Sequence, residues 1–297
     1  MNIDSGGANL MEKRELKIGN HVIRPNFGKI LTYLFLGGWT LFGIYAIGWI
    51  ILASFSTTGE IFRGTLLATG VHWEAYIKAL KTENMGLYFI NSIIYVFTAI
   101  FFILLISAPA AYVLSRAIFP GRNFLYTMFI AGQGVPGVML LIPLYIIALK
   151  FSLVNTSGIG LIIVYVTTSI PFAVYFLGSF FASLPKELEE AARIDGCTDI
   201  QAFWKVMLPL AQPGLITMGV FQFVSLWNDY FWALVFVNTD KQRTIALGLQ
   251  SLIQSMQYTG DWAGMFAGVV IVFVPTFILY IVLSERIIAG ITIGAVK

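Results

Sequence analysis

Charge is scarce in this 297-residue chain: Asp, Glu, Lys and Arg together make up 11% of it, against 58% hydrophobic residues. A soluble domain carries about 25% charged residues. Too little charge is present to cover a water-facing surface, and a mean hydropathy of +0.83 makes a bilayer the expected solvent. Cysteine is nearly absent. Cys197 stands alone, which excludes an internal disulfide and a thiolate metal cluster, and the two histidines, His21 and His72, lie far from it. A strong charge imbalance is missing too. The net charge of +3 is too mild to recruit nucleic acid, and basic residues here serve to orient the chain in a membrane. No G-x-x-x-x-G-K-[ST] occurs, so the chain brings no phosphate-cradling loop of its own. A secretory signal peptide is not expected, because a polar run precedes a first apolar segment that is too long for an h-region and lacks an A-x-A site. Period-2 alternation is lacking, which excludes a membrane β-barrel.

What the chain does have is long apolar runs. A helix crosses the hydrocarbon in about 20 residues, and six stretches suffice: Ile30 to Phe55, Leu87 to Leu114, Phe124 to Leu149, Gly158 to Phe181, Gly214 to Val237 and Met265 to Leu283. An even number puts both termini on one side. Of the 18 Lys and Arg, only Arg63, Lys78, Lys81, Lys150, Lys241 and Arg243 fall in the segments opposite the termini, so the positive-inside rule places both termini in the cytoplasm. Five spans carry no charge, which argues against a proton relay. Asp229 is the exception, and an Asp at mid-helix costs about 2.5–3.5 kcal/mol on insertion scales, so it should face an interior or an aqueous cavity. Trp227, Asn228 and Tyr230 beside it suit sugar contacts; alternatively Asp229 ties neighbouring helices or an outer gate. Gln222, Gln133 and Asn91 are further pathway candidates. Prolines recur inside the spans at positions 109, 136, 143, 171 and 275, and "GQGVPG" (Gly132 to Gly137) makes the third span the most irregular. That run is read either as close packing through small residues or as a pathway-lining bend.

One polar stretch between the fourth and fifth spans stands out, "EEAARIDGCTDIQAFWKVMLPLAQPG" (Glu189 to Gly214). Pro185 suits a first helical turn, and Leu184, Leu188, Ala191 and Ala192 form an apolar stripe, with Glu187 and Glu190 on another face. Gly196 fits the left-handed position that ends a helix. Thr198 and Gln201 form a capping box for a second helix whose face is Ile200, Phe203, Trp204 and Met207, and Leu208-Pro209 is expected to stop it. Headgroup-bound helices are the alternative, but anionic lipid would repel the acidic first helix, so a groove on a protein partner fits better.

Glu190-Ala191-Ala192, three residues, Gly196, nine residues and then Val206-Met207-Leu208-Pro209 resembles the EAA signature of the membrane subunits of binding-protein-dependent ABC importers, with Val206 a mild departure from the usual Ile. The resemblance to the carbohydrate, maltose-type branch runs from about residue 30 to the C-terminus, through Asn91 to Arg122, Ile142 to Thr156, Leu184 to Gly196, "WNDY" (Trp227 to Tyr230) and "RTIALGL" (Arg243 to Leu249).

The resemblance implies an all-α integral membrane protein of six transmembrane helices with a cytoplasmic helix-turn-helix coupling loop between spans 4 and 5. Residues 1–29 are a cytoplasmic N-terminal segment, 30–284 the permease domain with its coupling loop at 183–212, and 285–297 a cytoplasmic tail that can reach the ATPase. Glu187, Glu190, Ala191, Ala192, Arg193, Asp195, Gly196, Leu208 and Pro209 take the ATPase-coupling positions. Implied partners are a second related permease, two copies of an ABC ATPase, an extracytoplasmic sugar-binding protein and the bilayer. No cofactor is expected on this chain; ATP and Mg belong to the partner ATPase. The expected function is uptake of a sugar or oligosaccharide. Glycerol phosphate or another polar solute, an ion-driven secondary transporter and a non-transporting scaffold are the alternatives.

Overall fold

The computed structural model describes residues 27–154 and 158–295, with side chains over 28–285 of these. Most of the expected N-terminal segment, the last two residues of the tail and Thr156 lie outside the described residues. By its internal contacts the chain separates into Met1–Ile50 and Ile51–Lys297.

Among the described residues the chain is helical. α1 (Phe27–Ser54) is apolar on all sides and exposes its side chains along most of its length, as a helix solvated by lipid does. In the second unit the short helices α2 (Thr58–Arg63) and α3 (Glu74–Ile77) precede α4 (Met85–Arg116). Then follow α5 (Arg122–Gln133), α6 (Gly137–Lys150), α7 (Ile159–Ser183), α8 (Glu187–Ile194), α9 (Asp199–Ala202), a π-helical turn Phe203–Met207 and α10 (Leu208–Leu210). α11 (Gln212–Trp227), α12 (Phe231–Phe236), α13 (Ile245–Thr259) and α14 (Trp262–Ala295) complete the chain.

Among the described residues four helices are long and apolar enough to cross a membrane, or up to six if each of two bent pairs counts as one span. The centre is α4 against α7, flanked by α11 and α14. Val96, Ala99, Ile103, Leu161, Ala173, Leu177, Phe180 and Met218 bury their side chains there. Close crossings are set by glycine: a Cβ at Gly214 would lie 2.6 Å from the Phe180 ring. Pro109, Pro143, Pro171 and Pro275 all stay inside helices.

Three expectations are corrected. The third span is not one helix. α5 and α6 meet at 102°, because Pro136 lacks an N–H and sits extended at φ −60°, ψ 128° as the cap of α6. The fifth span also breaks: α11 ends at Trp227 and helix resumes only at Phe231. Finally, Leu208-Pro209 does not stop its helix. The backbone widens to a π turn over Phe203–Met207, which accommodates the missing proline donor, and the 70° bend comes later, at Ala211.

The loops beyond the spans are built rather than slack. Glu60 in α2 accepts from the Thr57 N–H (2.9 Å), the Thr69 N–H (2.7 Å) and the Thr69 hydroxyl (2.7 Å). These donors draw its pKa down to about 2. Lys78 Nζ meets Asp261 Oδ2 at 2.5 Å, which raises the lysine pKa and lowers that of the aspartate. α13 was not expected. It packs on α4, where Gly248 sits under Tyr88 and a Cβ would come within 2.4 Å of its ring.

Candidate functional site

The segment from Leu184 to Ala211 folds as two helical pieces around a tight turn. α8 ends in a doubled hydrogen-bond lock: the Cys197 N–H donates to Ala192 O (2.9 Å) and the Gly196 N–H to Arg193 O (3.0 Å). This lock requires a left-handed residue, and Gly196 has φ +80° with open space where a Cβ would lie. The capping box is complete, with the Gln201 N–H donating to Thr198 Oγ1 (3.3 Å) and the Thr198 N–H to Gln201 Oε1 (3.0 Å). Arg193 pairs with Asp199 across the turn at 3.1 Å.

The inner face seats the pair on the bundle. Ala192, Ala202, Phe203 and Met207 are buried, with the Phe203 ring 5.1 Å from Tyr112 and 6.3 Å from Phe181. The expected apolar face of the second helix therefore splits, since Ile200 and Trp204 are 73% and 51% exposed. Leu208 and Trp204 line a small apolar cleft of 210 Å³ with Phe101 and Pro109 of α4. The outer face carries Glu187, Glu190, Ala191, Arg193 and Asp195, all exposed, and Ile194, which is 85% exposed. Pro209 is exposed as well.

One residue that sequence reasoning passed over anchors the arrangement. Glu189 is buried and its Oε1 lies 3.2 Å from Arg116 Nε, at the end of α4. Arg116 Nη2 also donates to Leu184 O at 2.5 Å. Three residues before Ala192, Glu189 falls on the inner face of α8, and that spacing was its signal. Arg122 seals the same end of α4 by donating to Leu114 O (2.7 Å) and Ser115 O (2.9 Å).

The second group of candidates is dispersed. Trp227 is buried and donates its indole N–H to Val272 O at 3.0 Å, with Phe223 stacked on it and Phe89 edge-on. Gln222 is buried in α11. Asn228 is exposed and donates back to Val224 O (2.8 Å). Asp229 spans the break after α11, accepting from the Tyr165 hydroxyl (2.8 Å) and from the Ala233 (3.0 Å) and Trp232 (3.4 Å) N–H groups. Tyr230 packs on Phe231. Asn91 donates to the Lys241 and Arg243 carbonyls at 2.9 and 3.0 Å, holding the entry to α13. Gln133 lies elsewhere, exposed at the end of α5 beside the 102° bend.

A helical bundle with several apolar spans, and a helix-turn-helix packed on it through Phe203 and Met207, is consistent with a membrane permease component. The chain belongs to the family of binding-protein-dependent transport system inner membrane components, whose model matches residues 105–284. It is 37% identical to the diacetylchitobiose uptake system permease protein NgcG of Streptomyces coelicolor, over 87% of this chain and 86% of that one. It is 32% identical to the trehalose transport system permease protein SugB of Mycobacterium tuberculosis, over 92% and 98%. Among solved structures it resembles a chain of a bacterial ABC transporter involved in the import of the acidic polysaccharide alginate, with TM-score 0.74 and 25% identity over 87% and 96% of the two chains. The MetNI methionine ABC transporter shares the fold at TM-score 0.53.

Proposed function

We propose that this chain forms half the pore of an importer that takes a saccharide from an extracytoplasmic binding protein and is driven by ATP hydrolysis on a separate ATPase. Family membership and the saccharide names of its relatives support the reading. Membership in a binding-protein-dependent system also disfavours the ion-driven alternative. A second permease and two ATPase copies, which bind ATP and Mg, complete the assembly. Both termini face the cytoplasm, with residues 30–284 as the permease domain and 1–29 and 285–297 flanking it.

The observation that carries the proposal is the outer face of α8. Ile194 is 85% exposed, next to Glu190 and the small Ala191, on a turn fixed by Gly196, and such an apolar tip fits a groove on another protein. Glu190 pairs with a basic partner residue, Glu187, Arg193 and Asp195 form the rim, and Ala191 permits close approach. Ala192, Leu208 and Pro209 support the face from beneath and behind. When the ATPases close, a tip this firmly seated moves α4 with it through Arg116. Asp229 ties the helix break to α7.

The test is binding-protein-stimulated ATP hydrolysis by the assembled complex. Ile194→Asp and Glu190→Ala should each lower it by about tenfold or more, the size of an interface hot spot, with unchanged membrane insertion. Purification of the chain without an ATPase, in a detergent that preserves such complexes, would contradict the proposal.

A further inference from the structure

Two cavities lie along one face of α7. One, of 530 Å³, opens at the α5–α6 bend and is lined by Gln133, Thr168 and Phe172 among others. The second, of 690 Å³, lies nearer the end of α7 that leads into α8, where Tyr126, Tyr175 and Ser179 line it. Thr168, Phe172, Tyr175 and Ser179 follow one another at i, i+4, i+7 and i+11, so they form a single stripe about 17 Å long. The opposite side of α7 is closed, with Ala173, Val174, Leu177 and Phe180 buried in the bundle.

We infer that this groove between α5–α6 and α7 is where the chain touches its solute, and that the solute is a polyhydroxyl compound carrying no positive charge; the solute class rests on the saccharide reading above. Hydrocarbon is a poor neighbour for such a lining, because an exposed amide and phenols lose their hydrogen bonds in lipid. The chemistry suits a sugar instead. The Thr168 hydroxyl donates to Val164 O (2.7 Å) and the Ser179 hydroxyl to Tyr175 O (3.1 Å), so their oxygens face the groove as acceptors. Gln133 adds both donor and acceptor, and the rings of Phe172, Tyr175 and Tyr126 offer flat apolar surfaces to sugar C–H faces.

Charge narrows the class. No carboxylate lines either cavity, so neither attracts a cation. Arg122 is the one charged residue in the lining; two of its N–H groups donate to the Leu114 and Ser115 carbonyls, and its positive charge is a further reason the groove does not suit a cation.

The lone cysteine makes a direct test practicable. Cys197→Ser gives a thiol-free background, into which Thr168→Cys, Phe172→Cys, Tyr175→Cys and Ser179→Cys are placed one at a time in the assembled transporter. Ile94→Cys and Ile278→Cys, at exposed apolar positions of α4 and α14, serve as lipid-facing controls. Reaction with the charged reagent methanethiosulfonate-ethyltrimethylammonium needs a hydrated thiolate, so the stripe should react more than about tenfold faster than the controls. Tyr175→Ala should also lower saccharide uptake by about fivefold or more at normal assembly, because an aromatic contact is worth roughly 1 kcal/mol. Stripe cysteines as slow as the controls, both without nucleotide and with ATP and vanadate, would overturn the groove while leaving wild-type saccharide uptake intact. A reactive stripe in a wild-type complex that moves no saccharide would instead overturn the solute class, and with it the reading on which that rests.

Discussion

The break at Asn228–Tyr230 and the bend at Gly134–Pro136 interrupt spans of the same bundle, but they leave their polar groups in opposite conditions. At the first, Asp229 gathers a phenol and two backbone N–H groups, so the gap between α11 and α12 closes on itself. At the second, a 102° bend leaves Gln133 exposed above a 530 Å³ cavity. A charged or amide side chain in a membrane span is therefore a poor guide to the solute path until its hydrogen bonds are traced. Where they are satisfied within the protein the residue holds the fold.

Substitutions can sharpen this contrast. The largest effect on stability is expected from Arg116→Ala, which leaves Glu189 buried without its partner. Breaking a buried pair costs about 3–5 kcal/mol, so the midpoint of thermal unfolding in detergent should fall sharply. Arg116→Met with Glu189→Leu should recover most of the loss. Asp229→Ala comes next. It strands the Tyr165 hydroxyl and two N–H groups, so roughly 2–3 kcal/mol should be lost, with Asp229→Asn recovering part.

Gly196→Ala is smaller, about 1–2 kcal/mol, since only the positive φ is offended and no neighbour is struck. Gly196→Asn should be milder, as measured by the same unfolding assay. The smallest effect is on pH. Glu60 has its pKa lowered from 4.5 to about 2, so its contribution is present above pH 4.5 and fades as pH falls toward 2. Hydrogen exchange at the Thr57 and Thr69 amides should quicken across that window, and exchange that ignores pH there, after correction for intrinsic rates, would remove Glu60 from the account.

Much of the helix-turn-helix was legible because its signals are local. A left-handed glycine and a T-x-x-Q box act within one turn, and Gly196, Thr198 and Gln201 behave as their types require. Pro136 and its glycines likewise marked the irregular span, though not the size of its bend. What escaped depends on distant partners. Leu208-Pro209 reads as a stop, yet a π turn upstream absorbs the proline. Glu189 looks like one more solvated carboxylate until Arg116, from another span, is placed beside it. Trp227 reads as a sugar platform, and only the fold puts Val272 against its indole N–H. α13 was hidden because its amphipathic pattern lies in a segment counted as a loop.

The contrast between the two interruptions is tested most directly by measuring uptake and thermal stability together for Tyr175→Ala and Asp229→Asn, in the same assembled transporter. The account predicts that Tyr175→Ala loses uptake with its unfolding midpoint unchanged. Asp229→Asn should lose stability while uptake per folded complex holds. The reverse pattern, with Asp229→Asn stable but transport-dead and Tyr175→Ala transporting normally, would place the solute at the 228–230 break and contradict the account.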